Sequence, residues 1–448
     1  MRLQAGLLAA RATGAVTRLA GRGGTSLPGK VLMRAEPHAI ARLAARLTQG
    51  SVVVSATNGK TTTAAMVAAI VRRTGTELVH NRAGANMAGG VAAALAAGRG
   101  DLGLFEVDEF WLGPVASELE PRAVLLGNLF RDQLDRYGEL EIIADRWAAI
   151  VAGLPRATGL VLNADDPLVA DLGRRRDDAL YFGVQDDALA LPELQHASDS
   201  KHCRRCGHAY TYEAAYMAHL GRYECPNCGQ RRPDPAVSAS AVELRGIRSA
   251  AFTLTTPAGE RRIELPLPGL YNVYNALGAA ALCLRLGVPL DEIAAGLAAV
   301  EPAFGRAETI DLGGRPTSIL LVKNPAGANE VLRTLALEAT KLDLFGVLND
   351  RTADGRDVSW VWDADWEIVA PHVRRLTCSG TRAAELALRL KYAGVDPARL
   401  KVVDDLERGL DTALADGSGP LYALPTYTAL LELNDLLARR GHGEEYWR

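Results

Sequence analysis

The chain has 448 residues, of which 48% are hydrophobic and 23% charged, so it is long enough for two or three globular domains. The formal net charge of −3 excludes a global basic field of the kind that attracts nucleic acid, and no nucleic-acid partner is expected. Six cysteines in a chain of this length exclude a disulfide-rich scaffold.

The first 35 residues form a basic segment with six arginine or lysine residues and no acidic residue. The apolar run AGLLAA is too short for a signal peptide and ends at Arg11, and no stretch approaches the length of a membrane span. We therefore expect a cytoplasmic protein with at most peripheral membrane contact. Two interpretations of the segment stay open: a solvated helix, or a weak attraction to the inner face of the plasma membrane.

The stretch SATNGKTTT (residues 55–63) lies between a predicted buried strand, SVVVSAT, and a predicted helix, TTTAAMVAAIVRRTG. Gly59, Lys60 and Thr61 match the end of a phosphate-binding loop, in which backbone N–H groups and the lysine hold phosphates and the hydroxyl holds Mg²⁺. Val54 stands where the common spacing requires glycine. These residues alone leave an ordinary strand-to-helix turn open as the alternative.

Polar side chains also end the next predicted strands. The strand DLGLFEVDE runs into Glu106, Asp108 and Glu109, and AVLLGN ends in Asn128. A carboxylate at the carboxyl end of a strand, in a sheet whose first turn is a phosphate loop, is well placed to bind Mg²⁺. A solvated strand end is the alternative.

Four of the six cysteines follow a metal-binding pattern. Two CxxC pairs, separated by eighteen residues and each followed by glycine, predict a closed tetrahedral Zn²⁺ site formed by Cys203, Cys206, Cys225 and Cys228. Redox-active pairs are the alternative, but two matched turns favour metal. We expect this zinc ribbon to stabilise a loop excursion that has little core of its own.

Several segments together resemble the Mur ligase superfamily, ATP-dependent ligases that form amide bonds through acyl phosphates. They are the loop at residue 55, NLFRDQLDRYG, PGLYNVYNALGAAAL and FGRAE. The family's loop reads TGTNGKTT, so Ala56 replaces a glycine, and Gln133 replaces a histidine that binds metal in the family. The resemblance implies ATP as cofactor, contacted by Thr57, Asn58, Gly59, Lys60, Thr61, Thr62, Asn272, Asn275 and Arg306. It also implies Mg²⁺ held by Thr61 and Glu106.

A narrower resemblance rests on the leader RGGTSLPGKV, the cysteine ribbon, KNPAGANEVL and ADGRDVSWVWD. These segments are similar to the MurT family, the Mur ligase-like subunits of lipid II isoglutaminyl synthase. The resemblance implies amidation of the α-carboxylate of D-glutamate in lipid II, with ammonia from a GatD-type glutaminase subunit. Peptide-adding Mur ligases have D-Y-A-H-N-P where this chain has LLVKNP, so their aspartate is missing and Lys323 and Asn324 occupy that region.

Catalytic roles are expected for Lys60, Glu106 and Asp357. The chain has no strong glutaminase nucleophile of its own, because Cys283 lies in an apolar helix and Cys378 lacks an elbow-like G-x-C-x-G context. In the family an aspartate of the C-terminal domain orients the glutaminase histidine, and Asp357 is the preferred candidate. Asp354 and Asp363 stay open as alternatives, and the Trp-rich run around them is either core or a contact surface.

The expected fold is α/β, with a Mur ligase-like central P-loop ATPase domain, an inserted four-cysteine zinc ribbon and a smaller Rossmann-like C-terminal domain of the DUF1727 type. The predicted boundaries are 1–35 for the basic segment, 36–302 for the central domain with the ribbon at about 198–236, and 303–448. Two rival functions stay open. One is a stand-alone ligase of the Mur or folylpolyglutamate type, and the other is a non-enzymatic zinc-ribbon switch that binds nucleic acid.

Overall fold

A computed structural model describes residues 2–19, 26–81, 85–132, 140–301, 308–338, 341–417 and 419–442. Gln133, Arg306 and the expected domain boundary at residues 302–303 lie outside the described residues. The strands fall into a nine-stranded sheet, a six-stranded sheet and a two-stranded ribbon.

The first part of the chain contains eleven of the described strands. In chain order they are β1 (Ser51–Ser55), β2 (Leu78–His80), β3 (Leu102–Glu106), β4 (Ala123–Leu126), β5 (Gly159–Asn163), β6 (Leu180–Val184), β7 (Thr211–Met217), β8 (Leu220–Glu224), β9 (Val237–Arg245), β10 (Ser249–Thr256) and β11 (Gly259–Leu265). The α-helices described there are α1 (Arg2–Leu19), α2 (Leu27–Ala35), α3 (Ala39–Ala44), α4 (Lys60–Arg73), α5 (Ala88–Ala97), α6 (Leu112–Leu119), α7 (Leu140–Gly153), α8 (Pro167–Ala170), α9 (Leu270–Arg285) and α10 (Leu290–Ala298).

The nine-stranded sheet has the order β11-β10-β9-β6-β5-β4-β1-β3-β2. Its strands pair in parallel from β2 to β9, and β9, β10 and β11 form an antiparallel extension. Strands β1, β3, β4 and β5 are buried along their whole length, which suits a parallel sheet covered by helices on both faces. Successive residues of β1 pack into the two hydrophobic cores on opposite faces of the sheet. Val52 and Val54 pack with α4 and α9, and Val53 packs on the opposite face.

The order of the strands places a crevice beside β1. The chain passes from β1 to β2 and β3 on one side and then returns to β4 on the other side. Ligands of open α/β sheets bind at such a switch point, at the carboxyl ends of the strands. The loops after β1, β3 and β4 meet there.

The basic N-terminal segment packs on the central sheet rather than standing apart. Helix α1 contacts α2, and α2 contacts α5. Leu3, Ala10 and Leu32 join the core on that face.

The C-terminal sheet is smaller and has the order β12-β13-β17-β14-β15-β16, parallel except for the β12–β13 pair. Its strands are β12 (Glu308–Asp311), β13 (Pro316–Ile319), β14 (Leu342–Val347), β15 (Val373–Ser379), β16 (Leu400–Val402) and β17 (Leu421–Pro425). Its helices are α11 (Pro325–Ala336), α12 (Ala383–Tyr392), α13 (Leu406–Ala415) and α14 (Tyr427–Arg439). The expected fold class, two α/β units with a cysteine ribbon between β6 and β9, is confirmed.

Short 3-10 helices complete the described elements. They span Asp171–Gly173, Asp187–Leu189, Ser359–Trp362, Trp366–Ile368, Ala370–His372 and Pro397–Arg399. Three of them fall in the Trp-rich stretch between β14 and β15. Trp366 of this stretch is 2% exposed and part of the core, whereas Trp362 is 46% exposed, so the run is both core and surface.

Candidate active site and cysteine cluster

A cavity of about 510 Å³ opens at the carboxyl ends of β1 and β3. Both sheets contribute to it, because ten residues of the C-terminal part also line it, namely Leu320, Leu321, Lys323, Ala326, Gly327, Glu330, Val331, Thr352, Ala353 and Tyr427. Most of the expected site residues meet in this one cavity, namely Thr57, Asn58, Gly59, Lys60, Thr61, Thr62, Glu106, Asn272 and Asn275. Asp357 and the four clustered cysteines do not line it.

The loop after β1 is held by side chains that the sequence did not assign. Asn128, at the end of β4, accepts a hydrogen bond from the Asn58 N–H at 2.9 Å and donates to the Asn58 carbonyl at 3.0 Å. The Thr57 N–H donates to the Asn128 carbonyl at 3.0 Å. The loop is therefore fixed before α4 begins, and Thr57, Asn58 and Gly59 line the cavity.

Gly59 precedes the first residue of α4 with φ of 84°, in the left-handed region that favours glycine. A Cβ at this position would lie 2.0 Å from Oδ1 of Asn275 on α9. The missing side chain thus lets α9 approach the loop closely. Asn275 is in turn anchored by a bond to Asn272 at 3.0 Å.

Lys60 lies inside the cavity with 11% of its side chain exposed. Its Nζ donates to the Ala56 carbonyl at 2.9 Å and to Oε2 of Glu109 at 3.2 Å. Burial on its own lowers the pKa of Lys60, but the surrounding carboxylates, first that of Glu109, raise it more, and the net direction is upward. Lys60 is consequently a fixed positive charge at neutral pH.

The carboxylate Glu106 ends β3 and is 2% exposed. Asn81 fixes its backbone with two bonds, and Asn86 Nδ2 donates to Oε1 at 3.4 Å. The hydroxyl of Thr61, in the first turn of α4, lines the same cavity. A buried carboxylate and a hydroxyl beside a phosphate-type loop are the oxygen donors that suit Mg²⁺, so the residues present fit this ion.

Two more carboxylates, those of Asp108 and Glu109, follow Glu106 in the chain. Burial, followed by the negative charge of Glu109, raises the pKa of Asp108. Burial also favours the neutral form of Glu109, but the charges of Lys60 and Lys323 and the hydrogen bonds to Glu109 together outweigh it, and the pKa of Glu109 falls. Opposite shifts in neighbouring acids are typical of a functional site.

The C-terminal part reaches the phosphate-type loop through two consecutive residues. The amides of Asn324 and Asn58 exchange two hydrogen bonds, at 3.0 and 3.2 Å. Lys323 donates to the Thr57 carbonyl at 3.2 Å and forms an ion pair with Asp132. The sequence placed Lys323 and Asn324 in the region where peptide-adding ligases have D-Y-A-H-N-P but did not indicate what they contact.

The four expected cysteines form one cluster, with their sulfur atoms within 4.8 Å of one another. Each CxxCG turn is closed by a bond from the glycine N–H to the first cysteine carbonyl, at 2.7 Å for Gly207 and 2.9 Å for Gly229. Both glycines have positive φ, 73° and 71°, as such turns require. Four converging thiols are the donor set of a structural Zn²⁺ site, so the residues fit this ion.

The cysteine cluster has a small apolar core of its own. Tyr210 and Tyr223 pack at a ring distance of 5.1 Å, beside Cys203 and Cys225. His219 is buried and contacts Phe130 and Asp199 instead of the sulfurs, so it is not placed as a ligand. With so few apolar neighbours, we expect the cluster to gain much of its stability from a metal ion when one is bound.

We expect Cys225→Ser to release zinc and to lower the melting temperature by roughly 5–10 °C, at about 2–4 °C per kcal/mol for a domain of this size. A zinc assay on the purified chain and a thermal melt measure both effects. Cys283→Ala is the matched control, because Cys283 is buried in α9 away from the cluster. Full zinc content and unchanged melting in Cys225→Ser would show that the cysteines do not hold a structural ion.

The three candidate aspartates in the acidic Trp-rich stretch, Asp354, Asp357 and Asp363, differ in their exposure and in their contacts. Asp354 is buried, and its oxygens accept from Thr428 and Arg351, so it is engaged within the fold. Asp363 pairs with Arg131 at 3.2 Å. Asp357 is exposed, and within the described residues its carboxylate has hydrogen bonds only from Ser359. Of the three candidates, Asp357 is the most exposed residue, and it has no ion pair among the described residues.

Comparison with known proteins gives two matches to family models. Residues 54–228 match the Mur ligase middle domain, and residues 321–430 match the MurT ligase C-terminal domain. These ranges include the loop after β1 and the cysteine cluster in the first match, and Lys323 and Asp357 in the second.

Two curated relatives are similar over nearly the whole chain. Subunit MurT of the glutamine-hydrolysing lipid II isoglutaminyl synthase of Streptococcus pneumoniae R6 is 33% identical over 97% of each chain. The same subunit of Staphylococcus aureus N315 is 32% identical, over 95% of this chain and 96% of the relative. Among solved structures, a pseudomurein peptide ligase type C from Methanothermus fervidus aligns with a TM-score of 0.70 at 24% identity, covering 89% of this chain and 80% of the ligase. This last similarity supports the fold alone.

Proposed function

The chain belongs to the MurT family, and from this premise we propose that it uses ATP to amidate the α-carboxylate of D-glutamate in the lipid II stem peptide, giving D-isoglutamine. The observation that carries the proposal is the cavity in which a charged lysine, a phosphate-type loop and buried carboxylates meet. The similarity to MurT subunits over 95% or more of the chain supports the choice of substrate.

A carboxylate resists attack by ammonia because its charge repels a nucleophile and its oxygen is a poor leaving group. In the proposed reaction a carboxylate oxygen attacks the γ-phosphorus of ATP, the bond to the bridging oxygen breaks, and ADP leaves. Ammonia then attacks the acyl carbon, loses a proton, and phosphate leaves. Lys60 and the N–H groups of the loop stabilise the negative charge that moves during phosphoryl transfer.

The oxygen donors Thr61 and Glu106 would hold Mg²⁺ beside the loop. When bound, the ion supplies neutralising charge to the β- and γ-phosphates. Asn272 and Asn275 line the cavity next to Gly59, where they are placed to contact the nucleotide.

The ammonia comes from a second subunit in this proposal. Release of ammonia from glutamine requires a thiolate nucleophile, and four of the six cysteines belong to the cluster. The other two are buried, which raises the pKa of Cys283 and raises the pKa of Cys378 to about 12. Neither provides a thiolate at neutral pH, so a GatD-type glutaminase is the required partner.

Asp357 is the residue that we assign to contact this partner. Its stretch begins beside the cavity, since Thr352 and Ala353 line it and Asp357 follows four residues later. A carboxylate at the surface would orient a glutaminase histidine and stabilise its charged form. The same placement keeps the source of ammonia close to the acyl phosphate.

Reconstitution tests the proposal directly. The chain, a GatD-type glutaminase, ATP, Mg²⁺, glutamine and lipid II should together convert the glutamate α-carboxylate to an amide, as detected by mass spectrometry of the muropeptide. Omission of ATP or of the glutaminase should prevent the conversion. Incorporation of an amino acid without the partner would favour the stand-alone ligase instead.

A contact with the anionic inner face of the membrane is also part of the proposal. Arg2, Arg11, Lys30 and Arg34 are exposed on α1 and α2, and Leu8 is 66% exposed beside them in sequence. None of the helices in the described residues combines the length and apolarity needed to cross a bilayer. Basic helices with exposed apolar side chains adsorb to anionic lipid, at about 1 kcal/mol per cation near the surface.

We expect the double variant Arg2→Glu and Arg11→Glu to bind vesicles of phosphatidylglycerol at least about tenfold more weakly than the unaltered chain. Sedimentation with anionic and with zwitterionic vesicles measures the difference. Lys391→Glu, which alters an exposed cation at the end of α12, is the control. Equal binding of all three proteins to anionic vesicles would assign the basic segment to the solvated alternative.

A further inference from the structure

Lys323 and Asn324 link the C-terminal part to the loop that receives phosphate. They lie between β13 and α11, and Asn324 caps α11 by accepting a bond from the Gly327 N–H at 2.9 Å. The Asn324 amide also pairs with Asn58, as described above, so the backbone beside Lys323 is fixed directly over the loop.

The Lys323 ammonium rests against the loop itself. It donates to the Thr57 carbonyl at 3.2 Å and to Asp132, and its side chain is 25% exposed to the cavity. Thr57 is three residues before Lys60 in the same loop. The Lys323 ammonium therefore lies against the loop that would hold the phosphates.

The balance of charge in the cavity favours movement of the Lys323 ammonium toward a bound nucleotide. Five carboxylates line the described part of the cavity, against two lysines, Lys60 and Lys323; the five are Glu106, Asp108, Glu109, Asp132 and Glu330. Glu330 already has an ion pair with Arg333 at 2.8 Å. A nucleoside triphosphate adds further negative charge to the cavity. Besides Lys60, Lys323 is the other lining lysine that can neutralise part of this charge.

We infer that Lys323 is a second phosphate-contacting lysine, which leaves Asp132 when ATP binds and donates to the γ-phosphoryl oxygens during transfer to the carboxylate. This inference rests on the proposed use of ATP. It assigns to the C-terminal part, which already contacts the loop, a direct contribution to the transferred group. The alternative is that Lys323 only joins the two parts of the chain and does not contact phosphate.

The test compares the affinities of a triphosphate and a diphosphate. Calorimetry with the full chain and Mg²⁺ measures binding of AMPPNP, a non-hydrolysable ATP analogue, and of ADP. Loss of one charge-assisted contact should weaken AMPPNP binding to Lys323→Met about 10- to 100-fold, and ADP binding by less than about threefold. Lys323→Arg, which keeps the charge, should recover part of the loss.

Asp363→Asn is the matched control, because it removes another ion pair between the two parts of the chain, Arg131–Asp363 at 3.2 Å, outside the cavity lining. It should leave both affinities unaltered. Equal weakening of AMPPNP and ADP in Lys323→Met, or no weakening of either, would overturn the inference. Failure of the unaltered chain to bind either nucleotide would instead overturn the proposed use of ATP, so the two failures are distinguishable.

Discussion

Lys60→Ala should reduce ATP-dependent amidation by at least about 100- to 1,000-fold, the effect of removing one preorganised charge from a transition state. Lys60 is buried among carboxylates that keep it protonated, and it lies in the first turn of the helix that follows the loop. An alanine there leaves the transferred phosphoryl group without its nearest cation. The measurement is the rate of ADP release in the presence of lipid II and ammonium, which bypasses the glutaminase.

The control for this variant must separate chemistry from folding. Removal of Lys60 leaves Glu109 without its partner at 3.2 Å, so zinc content and the melting curve should be measured alongside activity. Lys391→Ala, at an exposed position in α12, should retain full activity. A folded Lys60→Ala protein with normal turnover would exclude the loop from the mechanism.

Asp357→Asn should reduce glutamine-driven amidation by about 100- to 10,000-fold, because an amide in place of the carboxylate would select the wrong tautomer of the glutaminase histidine that we propose Asp357 to orient. Hydrogen bonds from the Ser359 side chain and backbone hold the pKa of Asp357 below its usual range, so the carboxylate is charged at neutral pH. Reaction with supplied ammonium should be spared, because the cavity that we propose to bind ATP is unaltered. The measurement is the ratio of the two rates in the assembled complex.

Asp350→Asn is a suitable control, since Asp350 precedes the same stretch but accepts a bond from Thr381 at 2.8 Å. It should leave the ratio of glutamine-driven to ammonium-driven rates unchanged. Equal loss of both rates in Asp357→Asn would give Asp357 a structural role and would reopen Asp354 and Asp363 as candidates.

The local parts of the fold were predictable because short motifs determine them. A buried strand, a glycine with positive φ and the amino end of a helix are adjacent in the chain, and the structure places Ser51–Ser55, Gly59 and Lys60 accordingly. The same holds for the cysteine cluster, in which each pair of thiols comes from one tight turn. Both predictions used residues separated by a few positions.

The contacts across the cavity were not predictable in the same way. Asn128 holds the loop from 70 residues away, and the Asn58–Asn324 pair spans 266 residues. A sequence pattern shows that an asparagine follows a strand, but the partner depends on strand order and on how the two sheets meet. The Lys60–Glu109 pair was equally hidden, since Glu109 was one of three acids at the end of a strand.

The central claim is that phosphoryl transfer activates the glutamate carboxylate. The most direct test of it traces one oxygen atom of that carboxylate. If the glutamate carboxylate becomes an acyl phosphate, one of its oxygens must leave with the phosphate. Lipid II carrying heavy oxygen in that α-carboxylate should therefore yield one labelled inorganic phosphate for each amide formed by the chain, its glutaminase partner, ATP and glutamine. Amide formation with unlabelled phosphate would contradict carboxyl activation by phosphoryl transfer.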